Sequence, residues 1–196
     1  AGSHLDRRLN MASDPKHRLK PGRPTDYVIE MIERADAARG GFIGSYAQIE
    51  FILAHFALKA AQLEAYAGMD QPFPYNFGAR AHRVRQIAEA PGPLQPHRDS
   101  LLQIVDGIEP WEWYRHIVTH GWMEIHNHTA SRQVTFLLRK WEVAKGGKAG
   151  ELNLPLSIEE MEEAKRIIRA LAEFTVMTLD DIYTQHRLET WRHPPT

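Results

Sequence analysis

The chain has no cysteine, which excludes disulfides, thiolate catalysis and metal sites built on sulfur, and suits a reducing interior. It has no apolar run near the roughly 18 residues that span a bilayer, and no signal-type apolar stretch near its start. The expected setting is the cytoplasm, away from membranes. It also has almost no net charge: 24 Lys and Arg stand against 25 Asp and Glu, leaving −1. Bulk attraction to nucleic acid is thereby excluded, so any contact with RNA needs a local basic patch. Internal repeats and low-complexity tracts are absent as well.

What is present is enough apolar material for one core. With 196 residues and 43% hydrophobic content, the chain suits a single domain, placed at 25–190. Ala1, Gly2, Ser3 and His4 read as the remnant of a cleaved expression tag, with Met11 as a native start. Pro15, Pro21 and Pro24 among Lys16, Arg18, Lys20 and Arg23 read as an extended basic arm. Residues 1–24 therefore stand outside the fold, and 191–196 form a tail.

Apolar periodicity predicts a first helix over 26–39, capped by Thr25 and closed by Gly40 and Gly41, and a second over 45–67. The second carries the stripe Tyr46, Ile49, Leu53, Phe56, Ala57, Ala60 and Leu63, which makes it central. Pro72 and Pro74 set among aromatics predict an ordered connection. A third helix follows over 77–90; its Arg80, Arg83 and Arg85 fan around the axis and make no single patch. Leu101, Ile104, Val105 and Ile108 mark a fourth, and Pro110 kinks it or starts another. From Met123 the period changes to alternation, through Ile125, Val134, Phe136 and Leu138, and a turn at 145–148 precedes 151–156. This predicts an antiparallel hairpin or three-stranded sheet. Ser157 and Glu160 then form a capping box that opens a long helix reaching His186 along Met161, Ala164, Ile168, Leu171, Thr175, Thr178 and Ile182. The fold class is mainly α: a helical bundle with a small sheet inserted before its last helix.

The stretch with most chemistry is Trp111-Glu112-Trp113-Tyr114-Arg115-His116-Ile117-Val118-Thr119-His120-Gly121-Trp122. On a helix, Arg115 and His120 project to neighbouring parts of one face, so a permanent cation and a group titrating near neutrality share a small volume. A phosphodiester calls for both: a guanidinium fork matches phosphate oxygens, and an imidazole takes a proton from a hydroxyl or returns one to a leaving oxygen. Gly121 is expected to end the helix in the left-handed conformation, leaving His120 at an accessible tip.

Arg115, His116 and His120, followed by Gly121, resemble the signature of the HEPN superfamily, an Arg, often followed by a polar residue, and then a His a few positions on near a helix end. The likeness extends over roughly 43–121 in helix order and in the apolar run before the motif. It implies a HEPN-like bundle that cleaves RNA without metal or cofactor, with Arg115 and His120 catalytic and His116, Glu50 and Tyr114 auxiliary. It also implies a homodimer whose two copies meet at the site, acting as toxin or effector in a defence or stress system, with an antitoxin or other partner protein. A HEPN-like module that binds or assembles without turnover is the alternative. The segment 123–156, rich in hairpin signals, departs from toxin-like members.

Other readings of the same residues stay open. His116 and His120, with His126 and His128 two apart on a strand, could form a four-His set beside Glu124, binding Zn, Ni or Fe and making a metal-dependent hydrolase. Structurally, Arg115 could pair with Glu112 or Asp106, and His120 could serve as a cation at the helix C-terminus. Glu50, on or beside an apolar stripe, needs a partner to offset desolvation, with Arg39 or Lys59 favoured over Arg115 or a His. Trp111, Trp113, Tyr114 and Trp122 could stack bases, or serve as core or dimer interface.

Overall fold

The computed structural model describes residues 24–128, 133–143, 147 and 149–188. The expected tag remnant and arm, most of the turn at 145–148 and the tail lie outside them. Five helices and one sheet follow in chain order: α1 (Asp26–Ala60), α2 (Phe77–Glu89), α3 (Arg98–Ile108), α4 (Glu112–His120), β1 (Trp122–His128), β2 (Gln133–Val143), β3 (Ala149–Leu156) and α5 (Ile158–His186). The mainly helical bundle with an antiparallel sheet of order β1-β2-β3 before the last helix matches the expected class.

The two helices expected at 26–39 and 45–67 are one helix, α1, which runs through Gly40 and Gly41 and ends at Ala60. Glycine inside a helix costs about 1 kcal/mol relative to alanine, but tertiary packing outweighs that here. Ala35, Ala38, Phe42, Tyr46, Ile49, Leu53 and Phe56 continue one buried stripe across the glycines. A Cβ at Gly41 would meet the Lys165 stem of α5 at 2.6 Å, so the bare backbone lets α5 lie close. Thr25 caps the start through Val28 N–H, as its residue type leads one to expect.

Against α1 lies α5, opened by the Ser157 and Glu160 capping box, with both reciprocal bonds formed. Its buried stripe is Met161, Ala164, Ile168, Ala172, Thr175, Leu179 and Ile182; Leu171 is only partly buried, and Leu179 rather than Thr178 faces the core. The sheet covers one flank through Val134, Phe136, Leu138 and Leu156. Among the described residues, α1 alone has the length and apolar content to cross a bilayer, by those measures only. In the fold its apolar residues build the core.

Candidate functional site

Pro110 starts a 3-10 turn, Glu109–Trp111, which hands the chain to α4. Ile117 and Val118 turn α4 into the core. Trp111 and Tyr114 pack their rings on Phe42, with centroids 5.8 Å and 4.8 Å away. That packing decides which face remains outside: Arg115 is half-buried, and His116 and His120 are exposed.

Arg39 of α1 secures the far end of α4. Its Nε donates to the Val118 carbonyl at 2.6 Å and its Nη2 to the Gly121 carbonyl at 3.0 Å. Carbonyls at a helix C-terminus have no partner within the helix, and a cation there also complements the helix dipole. Gly121 is not left-handed, contrary to expectation: its φ of −78° and ψ of 145° are extended. Space is what requires glycine. Its N–H donates to Ile117 O at 2.7 Å, and a Cβ would collide with that same oxygen and lie 3.4 Å from Arg139 O.

The Arg115 guanidinium sits over the Tyr46 ring, 5.4 Å from its centroid, a cation–π contact that orients it. Its buried Nε has no hydrogen-bond partner among the described residues, and neither has the Tyr46 hydroxyl. Among the described residues Arg115 forms no salt bridge; the expected Asp106 is held instead by Arg85 at 2.7 Å, and Glu109 by the same guanidinium at 2.9 Å. Arg115 borders an open cleft of about 460 Å³ with Glu109, Pro110, Glu112, Trp113 and His116. One turn on, the His120 ring meets that of His116 edge to face, centroids 5.0 Å apart. Burial holds His116 below the usual histidine range, reinforced by Lys140, His120 and Arg115 against the opposing Glu142. His116 is therefore neutral near pH 7 and able to accept a proton.

The auxiliary residues divide. Glu50 pairs with Arg80 at 3.1 Å, not with Arg39, Lys59, Arg115 or a histidine. The reason lies in packing: α2 crosses α1 beside Glu50, while Arg39, about three turns earlier on α1, is committed to α4. Tyr114 packs on Phe42 and Trp111, and burial, followed by the nearby Glu160, pushes its phenol up to about 12, which removes it from proton transfer near neutrality. The aromatic cluster splits too. Trp111 and Tyr114 join the core, whereas Trp113 and Trp122 stand exposed, Trp122 at 73%.

The four-His set does not assemble. His126 and His128 lie on the outward face of β1, in register with Thr135 and Gln133; His126 Nε2 is 3.9 Å from Glu124 and His128 Nε2 is 3.5 Å from Thr135 Oγ1. Among the described residues no three His, Asp or Glu side chains come close enough to share a metal ion. Strand alternation turns the β1 histidines away from those of α4.

Arg39, Tyr46 and Lys140 belong to this site without having been singled out from sequence. Tyr46 stands in the α1 stripe, and Lys140 follows Phe136 and Leu138 in the alternation of β2, but nothing local points either toward α4. No family model, curated protein or solved structure matches the chain. The HEPN resemblance thus rests on Arg115, His120 and the order of helices.

Proposed function

We propose that the protein is a metal-independent, HEPN-like endoribonuclease in which Arg115 and His120 act on a phosphodiester. The observation that carries this reading is the open face of α4: Arg115, which has no carboxylate partner among the described residues, lines a cleft with His116, and the His116 ring touches that of His120 one turn on. An imidazole takes the ribose 2'-hydroxyl proton as the 2'-oxygen bonds to phosphorus. The bond from phosphorus to the 5'-oxygen breaks, and that oxygen receives a proton, leaving a 2',3'-cyclic phosphate and a 5'-hydroxyl. Arg115 stabilises the charge on the pentavalent phosphorus. Neutral His116 is the auxiliary proton acceptor. A homodimer that sets two such faces across one cleft, a toxin or effector role with a cognate antitoxin, and a cytoplasmic setting complete the proposal.

The test is cleavage of a quenched fluorescent RNA in excess chelator. Arg115→Ala and His120→Ala are each expected to slow it at least about 100-fold, in the range that general acid–base groups supply; wild-type rates in both variants remove the proposal. A binding or assembly module without turnover is the second reading. It is favoured by Arg115 resting on Tyr46 as a structural cation and by the net charge of −1. Wild-type protein that leaves RNA intact yet binds a partner supports it.

A further inference from the structure

Lys140 occupies an unusual place for a lysine. Along β2, Phe136 and Leu138 point into the core, and strand alternation puts Lys140 on that same inward face. Its side chain is 12% exposed. Its neighbour Arg139 points outward and is held by Glu124 at 2.9 Å and Glu151 at 2.5 Å. The last turn of α4 ends against this part of β2, since Gly121 abuts Arg139 O and Trp122 pairs with Arg139. Lys140 therefore faces the turn that carries His116 and His120. Among the described residues its one salt bridge is to Glu142 at 3.1 Å, a carboxylate that is half-exposed. After burial itself, the Lys140 ammonium is the strongest influence holding His116 below its usual range.

The charges of Lys140, His120 and Arg115 all reach His116, and assembling cations around one imidazole costs repulsion and desolvation. An anion offsets both. An ammonium on a flexible stem suits a phosphate as a point charge, complementing the planar fork of Arg115.

We propose that Lys140, with His116, His120 and Arg115, forms a phosphate-binding site in which a phosphate group displaces Glu142 from the lysine. Extended to a backbone phosphate of an RNA strand, the inference rests on the ribonuclease reading; for phosphate alone it stands apart from it. Lys140 is then a binding residue drawn from the sheet, which ties the inserted β-hairpins to the function of the helical bundle.

The experiment titrates the full chain with inorganic phosphate at constant ionic strength and follows the imidazole signals of His116 and His120 by NMR. In the wild type both signals shift and their titration midpoints rise. Lys140→Met, which keeps the stem length, is expected to weaken phosphate binding about tenfold, the equivalent of about 1.4 kcal/mol. It should also raise the His116 midpoint in the absence of phosphate. Lys140→Arg restores most of the binding and guards against a folding artefact, as does an unchanged melting temperature. Glu142→Gln, which frees the ammonium, tightens binding. Equal phosphate affinity in wild type and Lys140→Met, or no phosphate-dependent shift in the wild type, overturns the proposal. The two readings separate cleanly: a Lys140-dependent phosphate site in a protein that never cuts RNA sinks the nuclease alone. RNA cleavage with full activity and unchanged phosphate affinity in Lys140→Met sinks this site alone.

Discussion

Removing the Arg39 side chain should loosen the site from behind. In Arg39→Ala, the Val118 and Gly121 carbonyls lose donors at 2.6 Å and 3.0 Å. A hydrogen bond to a charged group contributes about 1.5–3 kcal/mol net, and a cation at a helix C-terminus about 0.3–1 kcal/mol. Arg39 is half-buried, and water can reach part of the end it leaves, so the sum is discounted to about 2 kcal/mol. For a domain of this size that corresponds to a melting temperature lower by about 4–8 °C. Thermal unfolding followed by circular dichroism reads the magnitude, and hydrogen exchange locates it. The Gly121 amide, bonded to Ile117 O, should exchange faster, together with the last turn of α4. Arg39→Lys, whose ammonium reaches one carbonyl, should recover about half. A change below about 1 °C, inside the usual spread for surface substitutions, or unaltered exchange in α4, refutes the claim that Arg39 anchors this helix end.

Gly121→Ala should destabilise by about 1–3 kcal/mol, the usual cost of forcing atoms into filled space, because the new Cβ collides with Ile117 O; urea unfolding within about 0.5 kcal/mol of wild type contradicts the close approach described above. A pH effect follows from His55 and His186. Burial holds both below the usual histidine range, helped by Lys59 for the first and His97 for the second. With depressed folded values, the unfolded chain takes up protons first as pH falls. Stability is therefore complete above about pH 6.5 and declines below it. Melting temperatures should drop between about pH 7 and 5, above the range of the carboxylates. His186 shares a hydrogen with His97, Nε2 to Nε2 at 3.1 Å, so His186→Gln should make that drop shallower; an unchanged slope counts against the pair.

Much of the fold was legible because its signals are local. The Ser157 and Glu160 box, the Thr25 cap and the alternation in β1 and β2 each involve residues a turn or less apart, and each formed as expected. The contact between His116 and His120 was legible for the same reason, since residues four apart on a helix lie on one face. Gly40 and Gly41 misled: propensity argues for a break there, but the stripe from Ala35 to Phe42 and the close approach of Lys165 continue the helix. Glu50 was recognisable as a carboxylate in need of a partner, though Arg80 lies 30 positions away and lines up with it only once α2 folds across α1.

By itself, then, the sequence determined the element types, most of their ends, the helical class and the exposed His120 of α4, all products of hydrogen bonds and apolar spacing within a few residues. Tertiary structure alone decided that α1 is continuous, that Arg39 caps a helix 79 positions away, that Lys140 turns toward His116, and that His126 and His128 face elsewhere. Those outcomes depend on which surfaces the core buries together, and burial is a property of the packed chain rather than of any short segment.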